Sequence, residues 1–567
     1  MLLDVLKRAL RTLRTLRGSK TRNAAPASRE YPFALLERAQ AAHRKGALDG
    51  ALLAYDAALD GLPESLDPQR AAVLVNMGAI LREQVRLPEA ISRLREAARL
   101  QPGLAAAHYN LGLTLYETGE SIEAEHALQA AIRLDPEFQA AHSTLLCLYG
   151  FTRSQDPERV LAEHRAWAKK FADPLTTIAP PHPNDRSIGR KLTVGYVSAD
   201  FREHSIARFI SPILSNHDRS GFRVICYDNW PAGDATTGRL RGLADAWRKI
   251  DSLGDERAAE LVREDGVDIL VDLSGHTAGN RLLMFARKPA PVQASWLGYM
   301  CTTGMAAMGW RITDAYLDPP GISERGYTEK LARIVSAAAF EPHPDSPPVN
   351  ALPALANGFV RFGSFNNYTK IGNEVIALWC RVLAALPEAR LLLVALGGDA
   401  PEFKSAVRAR FDRLAPGPDI SSRVDVIGRR PLKDFLRLFH RVDIALDPFP
   451  YGGGTTSLHT LWMGVAIVTL EGDSELARST SGMMIGCGLD ALVAHTDEEY
   501  LDIAVSLATD LPRVDDLRKN LRPRLSESAL GNAAAVTRSL ENAYRMMWAD
   551  YVRGTARLAV SATEQTE

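Results

Sequence analysis

Three prolines, Pro68, Pro102 and Pro136, lie 34 residues apart, each just after a leucine-terminated helical run at Leu66, Leu100 and Leu134. Within that period Gly78 recurs as Gly112, Ala90 as Ala124 and Ala97 as Ala131, with Met77 answered by Leu111. Small residues are needed where paired helices approach closely, and proline ends the second helix of each pair. A helix-turn-helix unit of this length cannot bury its apolar face alone, so it must stack on copies of itself.

Repeats of this length and shape follow the tetratricopeptide pattern. The segment from Pro32 to Pro68, with Gly46 and Ala51, reads as another unit with a few extra residues. Residues 139–172 read as a degenerate final pair ending in the helix of 158–167. Such an array offers a concave groove for a peptide, or else a scaffold or dimerisation arm. Protein or peptide contact is the favoured reading.

The 567 residues allow several domains. A net charge of −1 makes no electrostatic case for a nucleic-acid partner. Cys147, Cys226, Cys301, Cys380 and Cys487 are scattered and odd in number, which suits free thiols in a reducing compartment rather than a disulfide or zinc framework. No stretch reaches the roughly 20 apolar residues needed to cross a bilayer. At the N-terminus Leu2, Leu3, Leu6, Leu10 and Leu13 alternate with Lys7, Arg8, Arg11, Arg14 and Arg17, predicting a basic amphipathic helix. A packed terminal helix is weighed above membrane attachment, and the cytoplasm is the expected location.

After a proline-rich linker holding Pro180, Pro181 and Pro183 the pattern changes. Apolar runs at 191–198, 223–227, 267–272 and 292–296 read as strands, with a helix at 255–264 between two of them. A second hinge covers 343–357. Strands at 360–365, 390–395, 424–427 and 442–446 then alternate with helices at 374–386 and 431–440. This alternation predicts two doubly wound α/β domains with parallel sheets, whose ligand lies at the strand carboxyl ends and in the cleft between them.

The run Asp447-Pro-Phe-Pro-Tyr-Gly-Gly-Gly-Thr-Thr456 leaves the last of these strands and enters a helix carrying Leu458, Leu461, Trp462 and Val465 on one face. Thr455 or Thr456 is expected to cap that helix. Its free N–H groups and positive end suit an anion, typically a phosphate, with the glycines allowing close approach. Lys370 ends the loop Gly363-Ser-Phe-Asn-Asn-Tyr-Thr-Lys and is placed to neutralise a diphosphate. His204, beyond the first strand of the first α/β domain, suits a base or an orienting group. Asp272-Leu-Ser-Gly-His276-Thr277 puts further polar groups at a neighbouring strand end. Walker, dinucleotide-binding, zinc-protease and serine-hydrolase motifs do not occur.

In combination these segments resemble the O-linked N-acetylglucosamine transferases, in which tetratricopeptide repeats precede a two-domain glycosyltransferase of the GT-B type. The resemblance runs from about residue 30 to about 550. It is carried by Val194-Gly-Tyr-Val-Ser-Ala-Asp-Phe201 with His204, Pro291-Val-Gln-Ala-Ser-Trp-Leu-Gly-Tyr299, Phe365-Asn-Asn-Tyr-Thr-Lys370 and the loop ending in Thr455-Thr456. It implies inverting transfer of N-acetylglucosamine from UDP-GlcNAc to serine or threonine hydroxyls of proteins, with no metal or other cofactor. His204 then matches the base or acceptor-orienting group. Lys370 and Asn367 match the diphosphate contacts, and Thr455 and Thr456 the phosphate-binding threonines. Arg430, Leu432 and Phe435 fall at the uracil. Thr277, Leu297 and Gly298 fall near the donor sugar and acceptor, and Asp272 and His276 join them as substrate-binding candidates from their strand-end position alone.

Three positions depart from the family pattern, among them Gly454, which stands where relatives carry a histidine, and His459, where they carry a ribose-binding aspartate. Phe435 replaces a histidine facing the base, and the Pro448-Phe-Pro-Tyr451 wording resembles plant relatives that transfer fucose from a guanosine donor. A sibling enzyme using GDP-fucose or UDP-glucose is therefore the alternative donor reading. A non-catalytic interaction protein is the alternative of another class. The expected organisation is an N-terminal helix and linker over 1–29, repeats with capping helices over 30–183, and Rossmann-like domains over 184–345 and 346–552. The second of these domains holds the nucleotide sugar, and a tail covers 553–567.

Overall fold

The computed structural model describes residues 27–150, 156–415, 417 and 419–564. The basic helix read at the N-terminus falls almost wholly on residues 1–26, outside the described ones. Helices Ala27–Arg44, Leu48–Gly61, Asp67–Glu83, Leu87–Leu100, Ala105–Glu117, Ser121–Leu134, Gln139–Tyr149 and Pro157–Phe171 form the N-terminal arm. The repeating small residues explain the pairing. A Cβ at Gly78 would lie 2.5 Å from Leu94 Cγ, and one repeat later a Cβ at Gly112 would lie 2.8 Å from Leu128 Cγ. Ala90, Ala97, Ala124 and Ala131 are fully buried.

One detail of the repeat reading is corrected. Pro102 and Pro136 do follow helices, but Pro68 stands in the first turn of Asp67–Glu83, where the missing N–H has no intrahelical partner to lose. The extra residues before it form a short 3₁₀ turn, Glu64–Leu66.

Two parallel sheets follow. The first holds β1 (Leu192–Ser198), β2 (Phe222–Asp228), β3 (Ala246–Lys249), β4 (Ile269–Asp272), β5 (Val292–Ser295), β6 (Trp310–Thr313) and β7 (Lys330–Arg333), in the order β3-β2-β1-β4-β5-β6-β7. The second holds β8 (Arg361–Ser364), β9 (Arg390–Ala395), β10 (Val424–Gly428), β11 (Ile444–Leu446), β12 (Ala466–Leu470) and β13 (Val493–Ala494), in the order β10-β9-β8-β11-β12-β13. Strand order reverses between β1 and β4 in one sheet and between β8 and β11 in the other. A crevice opens at the carboxyl ends of strands at such points. All four strands deliver residues singled out from the sequence: His204 after β1, Asp272 to Thr277 after β4, Lys370 after β8 and the glycine loop after β11.

The domain boundary at 552 is corrected. Helix Ala533–Glu564 leaves the second sheet and packs Val536, Leu540, Tyr544, Met547 and Trp548 into the core of the first. These residues share one helical face, and each buried apolar side chain is worth about 1.5–3 kcal/mol. Tyr544 Oη lies 3.0 Å from Tyr196 Oη, and Glu541 Oε1 lies 2.9 Å from His217 Nδ1. The segment read as a tail from 553 continues this helix to Glu564. A buried ion pair also joins the domains: Arg311, on β6, donates to Glu475 Oε1 at 2.5 Å and Oε2 at 3.1 Å, while Tyr327 donates to Oε2 at 2.9 Å. Among the described residues no helix is long and apolar enough to cross a membrane.

Candidate active site

β8 is followed by Phe365-Asn366-Asn367, and the chain then turns through the 3₁₀ segment Tyr368–Lys370, where the Asn367 side chain accepts from Thr369 N at 3.4 Å. That turn carries Lys370 across to the glycine loop. Its Nζ donates to the Gly452 carbonyl at 2.7 Å and lies 3.5 Å from the centre of the Tyr451 ring. Burial pushes the ammonium down to about 8, and the nearby Asp447 charge pulls it back up.

Asp447 organises the loop from below. Its buried carboxylate accepts from Gly453 N at 3.0 Å, Asn366 Nδ2 at 3.2 Å and Thr469 Oγ1 at 2.9 Å. Burial raises its pKa, against the hydrogen bonds of Thr480, Thr469 and Gly453.

The three glycines have different reasons. A Cβ at Gly452 would meet Asp447 Oδ2 at 2.7 Å, and one at Gly453 would meet Ser457 Oγ at 1.8 Å; one at Gly454 meets nothing within 4 Å. The first two let the loop fold onto its own acid and helix. Only Gly454 faces open space.

The capping expectation is corrected. Gly454 is the N-cap of helix Thr455–Trp462 and has no side chain to offer, so Thr455 and Thr456 are its first two residues. The first N–H groups of that helix keep no side-chain cap and point out of its positive end, which suits an anion better than a capped end would.

His459, one turn further in, is buried with its ring edge-on to Phe340 at 5.4 Å and no hydrogen-bond partner at Nδ1. Burial, aided by the Arg208 charge, pushes it down to about 4, so the ring is neutral near pH 7. Arg430 is engaged in a two-pronged pair with Asp399 at 2.6 and 3.0 Å. Leu432 and Phe435 are half-buried on helix Leu432–Leu438, and the Phe435 ring meets Phe365 edge-on at 5.8 Å. That contact brings this group against the strand end bearing Asn366 and Lys370.

On the first sheet, His204 is the N-cap of helix Ser205–Asn216. Its Nδ1 accepts from Ile206 N at 3.3 Å, with Asp200 Oδ2 at 3.6 Å. Burial lowers its pKa while Asp200 raises it. The charges of Arg202 and Arg429 lower it further. Arg429 follows β10 of the other sheet, so its field reaches His204 across the cleft.

The neighbouring loops interlock. Leu297 has φ +59°, a Cβ at Gly298 would sit 1.8 Å from the Leu273 carbonyl, and one at Gly275 would sit 2.2 Å from Tyr299 Cβ. Thr277 is half-buried and donates to the Ser274 carbonyl at 2.6 Å.

Two readings at this strand end are corrected. Asp272 is buried, with its two oxygens accepting from Ser274 N at 3.1 Å and Gly275 N at 2.8 Å, so it builds the turn rather than facing a ligand. Burial raises its carboxyl to about 6. His276 is buried among Trp167, His164 and Tyr299 under the arm, with Ser143 Oγ at 3.4 Å from its Nδ1. Its polar atoms are spent on the joint between arm and sheet.

Arg429 was not singled out from the sequence, and Asn366, Tyr451 and Asp447 were quoted only as parts of their stretches. A buried acid closing a strand just before three glycines was the available signal.

The chain matches the family model described as glycosyl transferase family 41 over residues 137–346 and 348–540. It belongs to that family. Models for the TPR repeat and the tetratricopeptide repeat match residues 78–119 and 105–138. A probable UDP-N-acetylglucosamine–peptide N-acetylglucosaminyltransferase SPINDLY from Solanum lycopersicum is 36% identical over 424 residues, covering 72% of this chain and 45% of that protein. The one named SEC from Arabidopsis thaliana is 28% identical over 395 residues, covering 67% of this chain and 40% of that protein. The chain thus spans less than half the length of these curated family 41 relatives. Among solved structures, an O-GlcNAc transferase mutant of Thermobaculum terrenum is 38% identical with a TM-score of 0.84, covering 94% of this chain and all of that one.

Proposed function

We propose that this family 41 member is an inverting protein O-glycosyltransferase that moves N-acetylglucosamine from UDP-GlcNAc to serine or threonine hydroxyls. The observation that carries the reading is the Lys370 ammonium against the carbonyl of Gly452, beside an uncapped helix N-terminus, at the switch point of the second sheet. An acceptor oxygen bonds to the anomeric carbon as the bond to the β-phosphate breaks and UDP leaves with its electron pair. Lys370 and the first N–H groups of helix Thr455–Trp462 meet the charge growing on the diphosphate. No metal or other cofactor is needed for that neutralisation. Repeat helices of the arm offer the acceptor protein its docking surface, and the cytoplasm is the proposed location.

His204 orients rather than deprotonates. Because Nδ1 accepts from Ile206 N, the neutral ring keeps its proton on Nε2 and presents a donor. The hydroxyl proton passes to a non-bridging phosphate oxygen on the acceptor side of the sugar, because inversion puts the departing oxygen on the opposite face. His204→Ala should therefore lower kcat by only about 10- to 100-fold, the worth of one hydrogen bond to a charged group. His204→Asn, which keeps a donor, should retain more. Equal loss of several thousandfold in both variants would make His204 the base.

A second reading, a sibling enzyme using GDP-fucose or UDP-glucose, is favoured by His459. Its unpartnered Nδ1 stands where the family resemblance calls for a ribose-binding carboxylate. Calorimetry with UDP and GDP separates the nucleotides: UDP should bind at least about tenfold tighter, a difference of ~1.4 kcal/mol. Labelled UDP-sugars incubated with protein acceptor then separate GlcNAc from glucose. Tighter GDP binding would overturn the donor. No transfer from any nucleotide sugar, with peptide binding retained, would overturn the enzyme reading in favour of an interaction protein.

A further inference from the structure

The helical arm is bonded to both halves of the cleft. His164, on helix Pro157–Phe171, is fully buried, and its Nδ1 lies 2.7 Å from the Val160 carbonyl. A carbonyl only accepts, so Nδ1 carries the proton and Nε2 is the acceptor. Tyr299 Oη, 2.7 Å from Nε2, is therefore the donor. Tyr299 closes the turn that follows β5, and that turn has no slack. Leu297 is held at φ +59°, Gly298 is pressed on the Leu273 carbonyl, and the Tyr299 side chain sits on Gly275. Further along the same loop, a Cβ at Gly304 would lie 2.4 Å from the His164 carbonyl carbon. On the other side of the cleft, buried Arg410 donates to the Thr118 carbonyl of the arm at 3.4 Å, to Tyr368 Oη at 3.1 Å and to the Ile371 carbonyl at 3.3 Å, bracketing the turn that carries Lys370. Tyr299 also walls a cavity of about 350 Å³ that Tyr149 and Val160 of the arm share with Phe449 and Pro450, the lead-in to the glycine loop.

We propose that His164 and Tyr299 are positioning residues for transfer: the arm sets the β5 turn through this one buried hydrogen bond, and so is a working part of the site as well as a docking surface. The inference rests on the transferase reading above. A turn packed this tightly transmits a lost bond as a shift in the cleft wall, and small misplacements of reacting groups are costly in rate.

The test uses the full chain. Tyr299→Phe should lower kcat for labelled sugar transfer about tenfold while UDP affinity by calorimetry stays within about twofold. His164→Leu should lower both Tm and kcat, because it leaves the Tyr299 hydroxyl buried without an acceptor. Combining it with Tyr299→Phe removes both polar partners and should restore much of the Tm, as paired deletions do. Yet kcat should stay low. Wild-type kcat in Tyr299→Phe, or recovery of kcat together with Tm in the double variant, would overturn the proposal and leave the pair merely structural. Absence of transfer by the wild-type chain in the same assay would instead sink the transferase reading, and this inference with it.

Discussion

Replacing Lys370 with alanine should cut kcat by about 10²- to 10³-fold, the usual loss when one preorganised donor to a developing anion is removed. The fold should survive, because Asp447 keeps Gly453, Asn366 and Thr469 as donors when the lysine is gone. UDP affinity should fall as well, since the same ammonium meets the ground-state diphosphate. The pH dependence is a sharper check. Burial brings the Lys370 ammonium down to about 8, and only the charged form can stabilise the leaving group. In the free protein kcat/KM should therefore hold up to about pH 8 and fall above it. Bound diphosphate brings negative charge beside the ammonium and raises its pKa, so the fall in kcat should come at higher pH. A kcat/KM profile flat from pH 7 to 10, or near-wild-type turnover in Lys370→Ala, would remove this account of leaving-group stabilisation.

Much of the architecture was legible because its signals repeat. Gly78 and Gly112 face Leu94 and Leu128 one period apart, so the packing that requires glycine is written twice. Strand-end placement was also legible for His204, Lys370 and the glycine loop, since apolar runs followed by polar loops mark the carboxyl ends of buried strands. Strands without an apolar run were not. β3, β6 and β7 carry arginine or lysine within the strand and β13 has only two residues, while β12 follows the preceding helix so closely that its apolar run blends into it. Long-range pairing was hidden too. Helix Ala533–Glu564 has an evident apolar face, but only the fold says that the face lies on the first sheet. His276 and Asp272 carried suitable chemistry at a suitable strand end and were assigned to substrate. Their atoms are spent instead on the arm joint and on the turn, and no spacing in one sequence distinguishes a polar group that faces a ligand from one that holds a loop.

Asp447 shows how the loop and the lysine depend on one acid, and its two substitutions should separate the roles. Asp447→Ala leaves the Gly453 N–H and the Asn366 amide buried without acceptors and removes the charge opposing the ammonium. Breaking such a buried arrangement costs about 3–5 kcal/mol, readable as a lower urea midpoint, and turnover should fall with it. Asp447→Asn keeps the shape. One oxygen still accepts from Gly453 and Asn366, and the Thr469 and Thr480 hydroxyls can rotate to accept from the new amide. Stability should therefore drop far less. The lost negative charge, however, is the one that holds the Lys370 pKa up, so the basic limb of kcat/KM should move below pH 8. At pH 8 the asparagine variant should then lose rate that returns as pH is lowered towards 6.5, a recovery that a misfolded loop would not show. If its limb stays where the wild type's is, Asp447 supports the glycine loop alone and does not set the charge on Lys370.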